Sequence, residues 1–257
     1  MEPRWDSKFE LKPGKWVFVP NVDTIELGRK IKDDLSQRWK APAYYYHLRD
    51  GGHVAALKVH LGQTCFIHVD VENFFQRINR SRITRVLKGI YSYGEARDIA
   101  NLSTVRFPEG TEKRYILPYG FVQSTLLASI CLRKSALGNY LKRLTAADGI
   151  EVSVYVDDII ISLADHASAE VILAEIKSVS EKSGFDLNKK KEQGPADKIR
   201  AFNIELSQHS LHVLPDRWLA FLDAMRGNEN PHRQQAILGY VGSLNPAQAT
   251  QLQAEVF

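Results

Sequence analysis

Cysteine is nearly absent from this sequence: Cys65 and Cys131 are the two that occur in 257 residues. Both sit in apolar runs and neither belongs to a zinc-ligand spacing, which excludes a disulfide scaffold and a zinc module. They read as small buried hydrophobes in a reducing compartment. Long hydrophobic runs are missing too. The most apolar helical stretch, Gln123–Leu141, is interrupted by Arg133 and Lys134 and is too short and too charged to span a bilayer. The first residues carry no apolar signal-peptide core. There is no repeat of fixed period and no low-complexity tract. Nor does one charge dominate: 34 basic against 30 acidic residues leave +4, which tolerates a nucleic-acid partner without requiring one. The expectation is a cytoplasmic globular chain with no membrane partner, long enough to bury a core without staples.

What is present begins with elements. Asp23, with Glu26 at the third helical position, is placed to cap a helix over Thr24–Trp39 that Pro42 stops. Ala43–Leu48 and Val54–His60 are aromatic or β-branched on either side of Asp50-Gly51-Gly52, a hairpin signal. Thr64–Val69 reads as a strand. Helical patterns at Arg80–Tyr91 and Gly94–Val105 precede a stretch broken by Pro108, Gly110, Pro118 and Gly120, and then the apolar helix Gln123–Leu141. Glu151–Val156 and Ile159–Leu163 flank Asp157-Asp158 as a second hairpin. A helix over Ala167–Ser183 ends at Gly184. Short strands follow at Arg200–Leu206 and Leu211–Leu214. From Asp216 on, helical pattern alternates with breakers. This order predicts an α+β fold with a largely antiparallel sheet, a main body over 1–214 and a helical unit over 215–257.

Adjacent aspartates are weak evidence alone. About one such pair is expected by chance, and the chain has two, Asp33-Asp34 and Asp157-Asp158. The first falls on an amphipathic helix and reads as a solvated face. The second stands between Val152, Val154 and Val156 on one side and Ile159, Ile160 and Ile161 on the other. Two carboxylates ~4 Å apart repel by about 4 kcal/mol at an effective dielectric of 20. Divalent cations would remove that cost; a solvent-exposed turn, where Asp is at home, is the alternative. Phe66-Ile67-His68-Val69 is an apolar strand ending in Asp70, 87 residues before Asp157, so a shared site has to be built by tertiary folding. Three carboxylates at strand ends suit two Mg²⁺ ions, which prefer oxygen ligands. Two such ions roughly 3.5–4 Å apart activate a primer hydroxyl and stabilise leaving pyrophosphate.

Tyr155-Val156-Asp157-Asp158 resembles the aromatic-x-Asp-Asp box of reverse transcriptases. His68-Val69-Asp70-Val71-Glu72-Asn73-Phe74-Phe75 is similar to that family's first carboxylate motif, particularly in bacterial retron-type and defence-associated members. Leu117-Pro118-Tyr119-Gly120-Phe121-Val122-Gln123-Ser124 resembles its nucleotide- and template-contacting motif, and Gly184-Phe185-Asp186-Leu187-Asn188-Lys189-Lys190 the motif after it. The four occur in the family's order. The resemblance implies a right-hand polymerase with palm and fingers and a short helical C-terminal thumb. It implies Asp70, Asp157 and Asp158 as catalytic metal ligands, with the Val71 carbonyl reaching a metal and Mg²⁺ (or Mn²⁺) as the ion. Phe75 falls at the steric gate that excludes a 2′-hydroxyl; core packing beside Phe74 is its other reading. Tyr119, Gly120 and Gln123 are implied at the nucleotide, and Tyr155 at the nucleic acid. Lys189 is a candidate for the triphosphate, or else part of a solvated lysine run. Lys58, preferred over Arg49, is the basic residue that a fingers hairpin would present to the triphosphate. Arg77, Arg80, Arg82, Arg85 and Lys88 read as a solvated helix face or as a track along phosphates. Tyr44-Tyr45-Tyr46 read as core, and His60 and His68 as structural.

Two departures stand out: Tyr119 where many members carry Gln, and Thr125 where Pro commonly follows Ser. The expected activity is RNA-directed addition of dNTPs to a 3′-hydroxyl, with an RNA template, a DNA or protein primer, and bacterial antiviral defence as the setting. A dedicated non-coding RNA, a partner protein and a second copy of the chain are partners consistent with that branch. The alternatives are untemplated or protein-primed DNA synthesis, and a catalytically silent RNA-binding scaffold. Residues after Asp216 suffice for a thumb but not for a nuclease or protease domain, and a larger parent protein remains open.

Overall fold

In the computed structural model, residues 4–109, 113–227 and 230–256 are described; Gly110 and the closing Phe257 lie outside them. Strands β1 (Trp5–Lys12) and β2 (Lys15–Pro20) form a hairpin turning on Gly14, at φ +75°. Asn21 caps α1 (Val22–Arg38), its side chain accepting the Thr24 N–H at 3.0 Å. The helix thus starts ahead of Asp23, which sits in the first turn, where its charge favours the helix dipole. The hairpin expected over 43–60 does not form. Tyr46–Leu48 make one 3₁₀ turn, and Gly51 and Gly52, both at positive φ, lead into α2 (Gly52–Lys58). Ala55, Ala56 and Leu57 favour helix, and Val54 and Leu57 pack into an apolar cluster with Phe66 and Ile160; burial on one helical face overrides the β-like composition. Strand β3 (Cys65–Asp70) is buried along its whole length.

Asn79 and Ser92 cap α3 (Arg80–Leu87) and α4 (Tyr93–Leu102), the second through a capping box with Glu95. The two-residue strands β4 (Val105–Arg106) and β5 (Tyr115–Ile116) pair ahead of α5 (Ser124–Arg133). The single apolar helix expected over 123–141 is broken after Lys134, where the Ser135 hydroxyl accepts the Gly138 N–H and starts α6 (Ala136–Leu144). Then come β6 (Glu151–Tyr155), β7 (Asp158–Leu163) and α7 (His166–Ser183). Gly184, at φ +62°, ends α7 as its sequence implies, with the Phe185 N–H on the Ser180 carbonyl. Strands β8 (Gln193–Ala196), β9 (Lys198–Ala201), β10 (Ile204–Ser207) and β11 (Leu211–Val213) precede α8 (Pro215–Arg226), α9 (Pro231–Leu244) and α10 (Pro246–Val256). Each of these last helices opens on proline, which suits a first helical position.

Packing divides the chain into two units. Met1–Ala43, Val71–Arg143 and Ile176–Leu187 make the first; Tyr44–Asp70, Leu144–Glu175 and Asn188–Phe257 make the second. In the first, Phe18, Val105, Ile116 and Phe121 form an apolar centre against which Trp5, Trp16 and Phe107 pack. In the second, an antiparallel sheet of order β6-β7-β3-β8 holds the candidate carboxylates, beside a three-stranded sheet of order β11-β10-β9. Ile199, Leu206, Phe221, Met225, Val241 and Leu252 share one core, so α8–α10 bury their apolar faces with β9 and β10. The named strands pair antiparallel among the described residues, and the class is α+β.

Candidate active site

The carboxylates owe their placement to strand register. Asp70, the last residue of β3, pairs with Asp158, the first of β7, and Tyr155 pairs with the same Asp158 from β6. That leaves a two-residue tip, Val156-Asp157. Val156 adopts φ +62°, a costly conformation for a β-branched residue. Its N–H donates to His47 Nδ1 at 2.9 Å, while the Val154 N–H donates to the Tyr44 carbonyl at 2.8 Å. Burial pushes the His47 imidazole down to about 4, so at neutral pH the ring is uncharged and Nδ1 can accept the Val156 N–H. His47 is a residue the sequence did not reveal as part of the site, because no local pattern joins it to a hairpin 109 positions away.

Oxygen atoms of Asp70, Asp157 and Asp158 all lie within 4.8 Å of one another. Burial, then the charges of Asp158 and Asp70, push Asp157 up to about 6. Lys191 Nζ stands 2.6 Å from Asp70 Oδ2. Burial opposes the charge on that lysine, but its bond to Asp70 and the field of the three carboxylates outweigh it and raise its pKa. His68 Nε2 lies 2.9 Å from Asp158 Oδ1, with Gln193 Nε2 donating to His68 Nδ1 at 3.2 Å. His68, read from sequence as structural, therefore donates to a candidate metal ligand. His60 is structural: both its ring nitrogens meet serine hydroxyls, Ser162 at 2.7 Å and Ser153 at 2.8 Å. The donor set is all oxygen and anionic, and it already draws an ammonium group. That chemistry fits Mg²⁺ or Mn²⁺ and lacks the nitrogen or sulfur ligands zinc favours.

Other expected residues divide between the units. Val71 is buried in the first unit, bridged to Leu187. Phe75 and Tyr119, also there, bring their rings together at 4.5 Å, and Lys15 lies 4.4 Å over the Tyr119 ring. Gly120 has a structural reason of its own. At φ +106°, a Cβ there would come 2.1 Å from the Phe18 carbonyl oxygen, so glycine lets this loop approach β2. Gln123, expected at a nucleotide, is fully buried in the first unit instead. Its Nε2 donates to Ser103 at 3.2 Å, and Oε1 faces Gly28, where a Cβ would meet it at 2.5 Å; it points inward because the first turn of α5 is embedded. Lys58 is exposed in the last turn of α2, so the fingers hairpin that motivated it is absent. Lys189 is exposed in the turn after Asn188; of this lysine run it is Lys191 that reaches a carboxylate. The run itself was the available signal. It could not say which lysine turns inward, which follows from the Asn188 N–H on the Asp70 carbonyl at 2.8 Å. Tyr155 packs 5.2 Å from Phe202 and lines a cavity of about 560 Å³ with His53, Arg217, Arg233 and Tyr240. Tyr44, Tyr45 and Tyr46 are core.

Residues 8–215 match the family model described as reverse transcriptase (RNA-dependent DNA polymerase). No curated protein matches the chain. Among solved structures, the chain is similar to a foamy viral protease-reverse transcriptase in complex with double-stranded DNA, with TM-score 0.52 and 18% identity over 90% of this chain and 34% of that one. It is similar to telomerase from Candida albicans in complex with a TWJ fragment of telomeric RNA, with TM-score 0.55 and 12% identity over 91% and 46%. Apo telomerase from Candida tropicalis gives TM-score 0.56 and 12% identity over 84% and 43%. At these identities the likeness is one of fold, and the chain spans less than half the length of each.

Proposed function

The chain belongs to the reverse transcriptase (RNA-dependent DNA polymerase) family, and from that membership we propose that it extends a 3′-hydroxyl with dNTPs on an RNA template. The observation that carries the reading is the convergence of Asp70, Asp157 and Asp158 oxygens within 4.8 Å at the mouth of a β-hairpin. Bound between them, two Mg²⁺ ions would supply Lewis acidity to the primer oxygen and to the leaving phosphates. Asp70 and Asp157 would be the principal ligands and Asp158 would assist, oriented by His68. In the reaction, the primer hydroxyl gives up its proton to water, its oxygen forms a bond to the α-phosphorus as the bond from that phosphorus to the bridging oxygen breaks, and pyrophosphate departs. Lys191 offsets the charge of Asp70, the same charge that a bound metal would neutralise. Phe75, backed by Tyr119, excludes a 2′-hydroxyl, which makes dNTPs the substrates.

Motif wording supports a bacterial antiviral role with a dedicated non-coding RNA; phage protection that persists after D157A/D158A would remove it. Tyr119, in place of the usual Gln, keeps untemplated or protein-primed synthesis as the second reading, and supplying dNTPs without template separates the two. The test of the main reading is Mg²⁺-dependent dNTP incorporation on poly(rA)/oligo(dT). Incorporation by the wild-type chain and none by D157A/D158A is expected. RNA binding without any incorporation by the wild type would leave a silent scaffold.

A further inference from the structure

The basic run over residues 77–88 separates into two sets once folded. Arg77 pairs with Asp186 at 2.5 Å, and Arg82 donates to the Ser183 carbonyl and lies 4.3 Å over the Phe185 ring. Those two are structural. Arg80 and Arg85 on α3, with Lys88 at its C-cap, instead face Tyr93 and Arg97 of α4. Together they line a groove of about 510 Å³ in the first unit. Four of its lining residues are cations and none is a carboxylate. Among the described residues no ion pair neutralises Arg80, Arg85, Lys88 or Arg97. Arg80 is held by Thr104 Oγ1 at 2.8 Å and by the Tyr115 ring at 3.4 Å, contacts that orient the guanidinium and leave its charge. Tyr93 is 59% exposed, with Lys88 5.7 Å over its ring.

We propose that the α3–α4 groove is a second nucleic-acid site, taking the phosphodiester backbone of a strand. Four cations lining one groove with no carboxylate among them offer an anion a favourable place to bind. Thr84 and Asn101 add hydrogen-bonding groups beside the cations, and an exposed tyrosine next to lysine offers a stacking face for a base. From Arg80 to Lys88 is about 12 Å of helix, room for three or four steps at about 3.4 Å each. An acidic protein segment would satisfy the charge but leave the stacking face without a purpose. The inference does not rest on the carboxylates, so it stands or falls separately from the proposed polymerase activity.

The experiment measures binding of a labelled 20-nucleotide RNA, and of DNA of the same sequence, to the full chain across a salt series without Mg²⁺. In R85Q/K88Q/R97Q the slope of log affinity against log salt should fall by about 2, at ~0.7 per lost phosphate contact. Affinity at physiological salt should weaken at least tenfold. R85K/R97K, which keeps the charges, should retain the wild-type slope. Loss with both nucleic acids assigns the contact to the shared backbone, and loss with RNA alone adds the 2′-hydroxyl; either supports the site. An unchanged slope in R85Q/K88Q/R97Q overturns it, as does polyglutamate binding that the triple variant loses while nucleic-acid binding stays.

Discussion

Asp157 is held in a state that suits a metal better than it suits the fold. Burial and two neighbouring carboxylates lift it to about 6, so the metal-free protein is strained at neutral pH, where that group is ionised. D157N should therefore cut incorporation about 10³-fold or more while raising the melting temperature in EDTA, a gain of about 1–2 kcal/mol. A lower melting temperature would show the carboxylate to be structural. His60 carries the opposite lesson. Burial between Ser153 and Ser162 pushes it down from 6.5 to about 3. The unfolded chain takes up a proton that the folded chain refuses. Stability is therefore full above pH 6.5 and is lost as pH falls toward 3, by at most about 1.4 kcal/mol per pH unit. Urea midpoints at pH 7 and pH 5 should differ more in the wild type than in His60→Asn; equal differences would clear His60 of that role.

At the scale of elements, the β6–β7 hairpin was readable from sequence because two β-branched runs this close together have few other solutions, although its tip is Val156-Asp157 and not the expected Asp157-Asp158. The stretch 43–60 was not, because its β-like windows carry an equally good helical face, and burial against Phe66 and Ile160 chose the helix. Gly120 tests what an element boundary does. If its freedom serves packing against β2, G120A should lower stability by about 1–3 kcal/mol, seen as a shifted denaturant midpoint. A variant of unchanged stability with lost activity would return Gly120 to the nucleotide role that its motif implies. The turn into α5 shows the same ambiguity: Gln123 belongs to a nucleotide-contacting motif by its neighbours, yet its burial beside Gly28 and Ser103 makes it part of the scaffold.

Over the whole molecule, both units are assembled from three separate stretches, so neither corresponds to one continuous half of the chain. The proposed boundary between body and thumb, at 214, passes through a shared core. Phe221, Leu222, Met225, Val241, Leu244 and Leu252 are all buried with Ile199 and Leu206. At about 1.5–3 kcal/mol for each large side chain, removing these six costs about 9–18 kcal/mol, as much as the usual stability of a whole domain, roughly 5–15 kcal/mol. A chain ending at residue 214 should be insoluble or lack a cooperative melting transition; a soluble, cooperatively folding 1–214 would establish 215–257 as an independent unit.

The sequence by itself determined the family, through motifs in one family's order, and singled out the candidate groups: three aspartates and an aromatic before the pair. Side-chain type and short spacing are local properties, and hydrophobic periodicity reports them well. The tertiary structure alone decided which other groups touch the carboxylates. Lys191 rather than Lys189 reaches Asp70, His68 donates to Asp158, and His47 holds the hairpin tip. It also split the basic run into arginines that brace the fold and cations that line a groove. Those choices depend on register and on which face of an element is buried. Both are set when segments distant in sequence close on one another, and no local window carries that information.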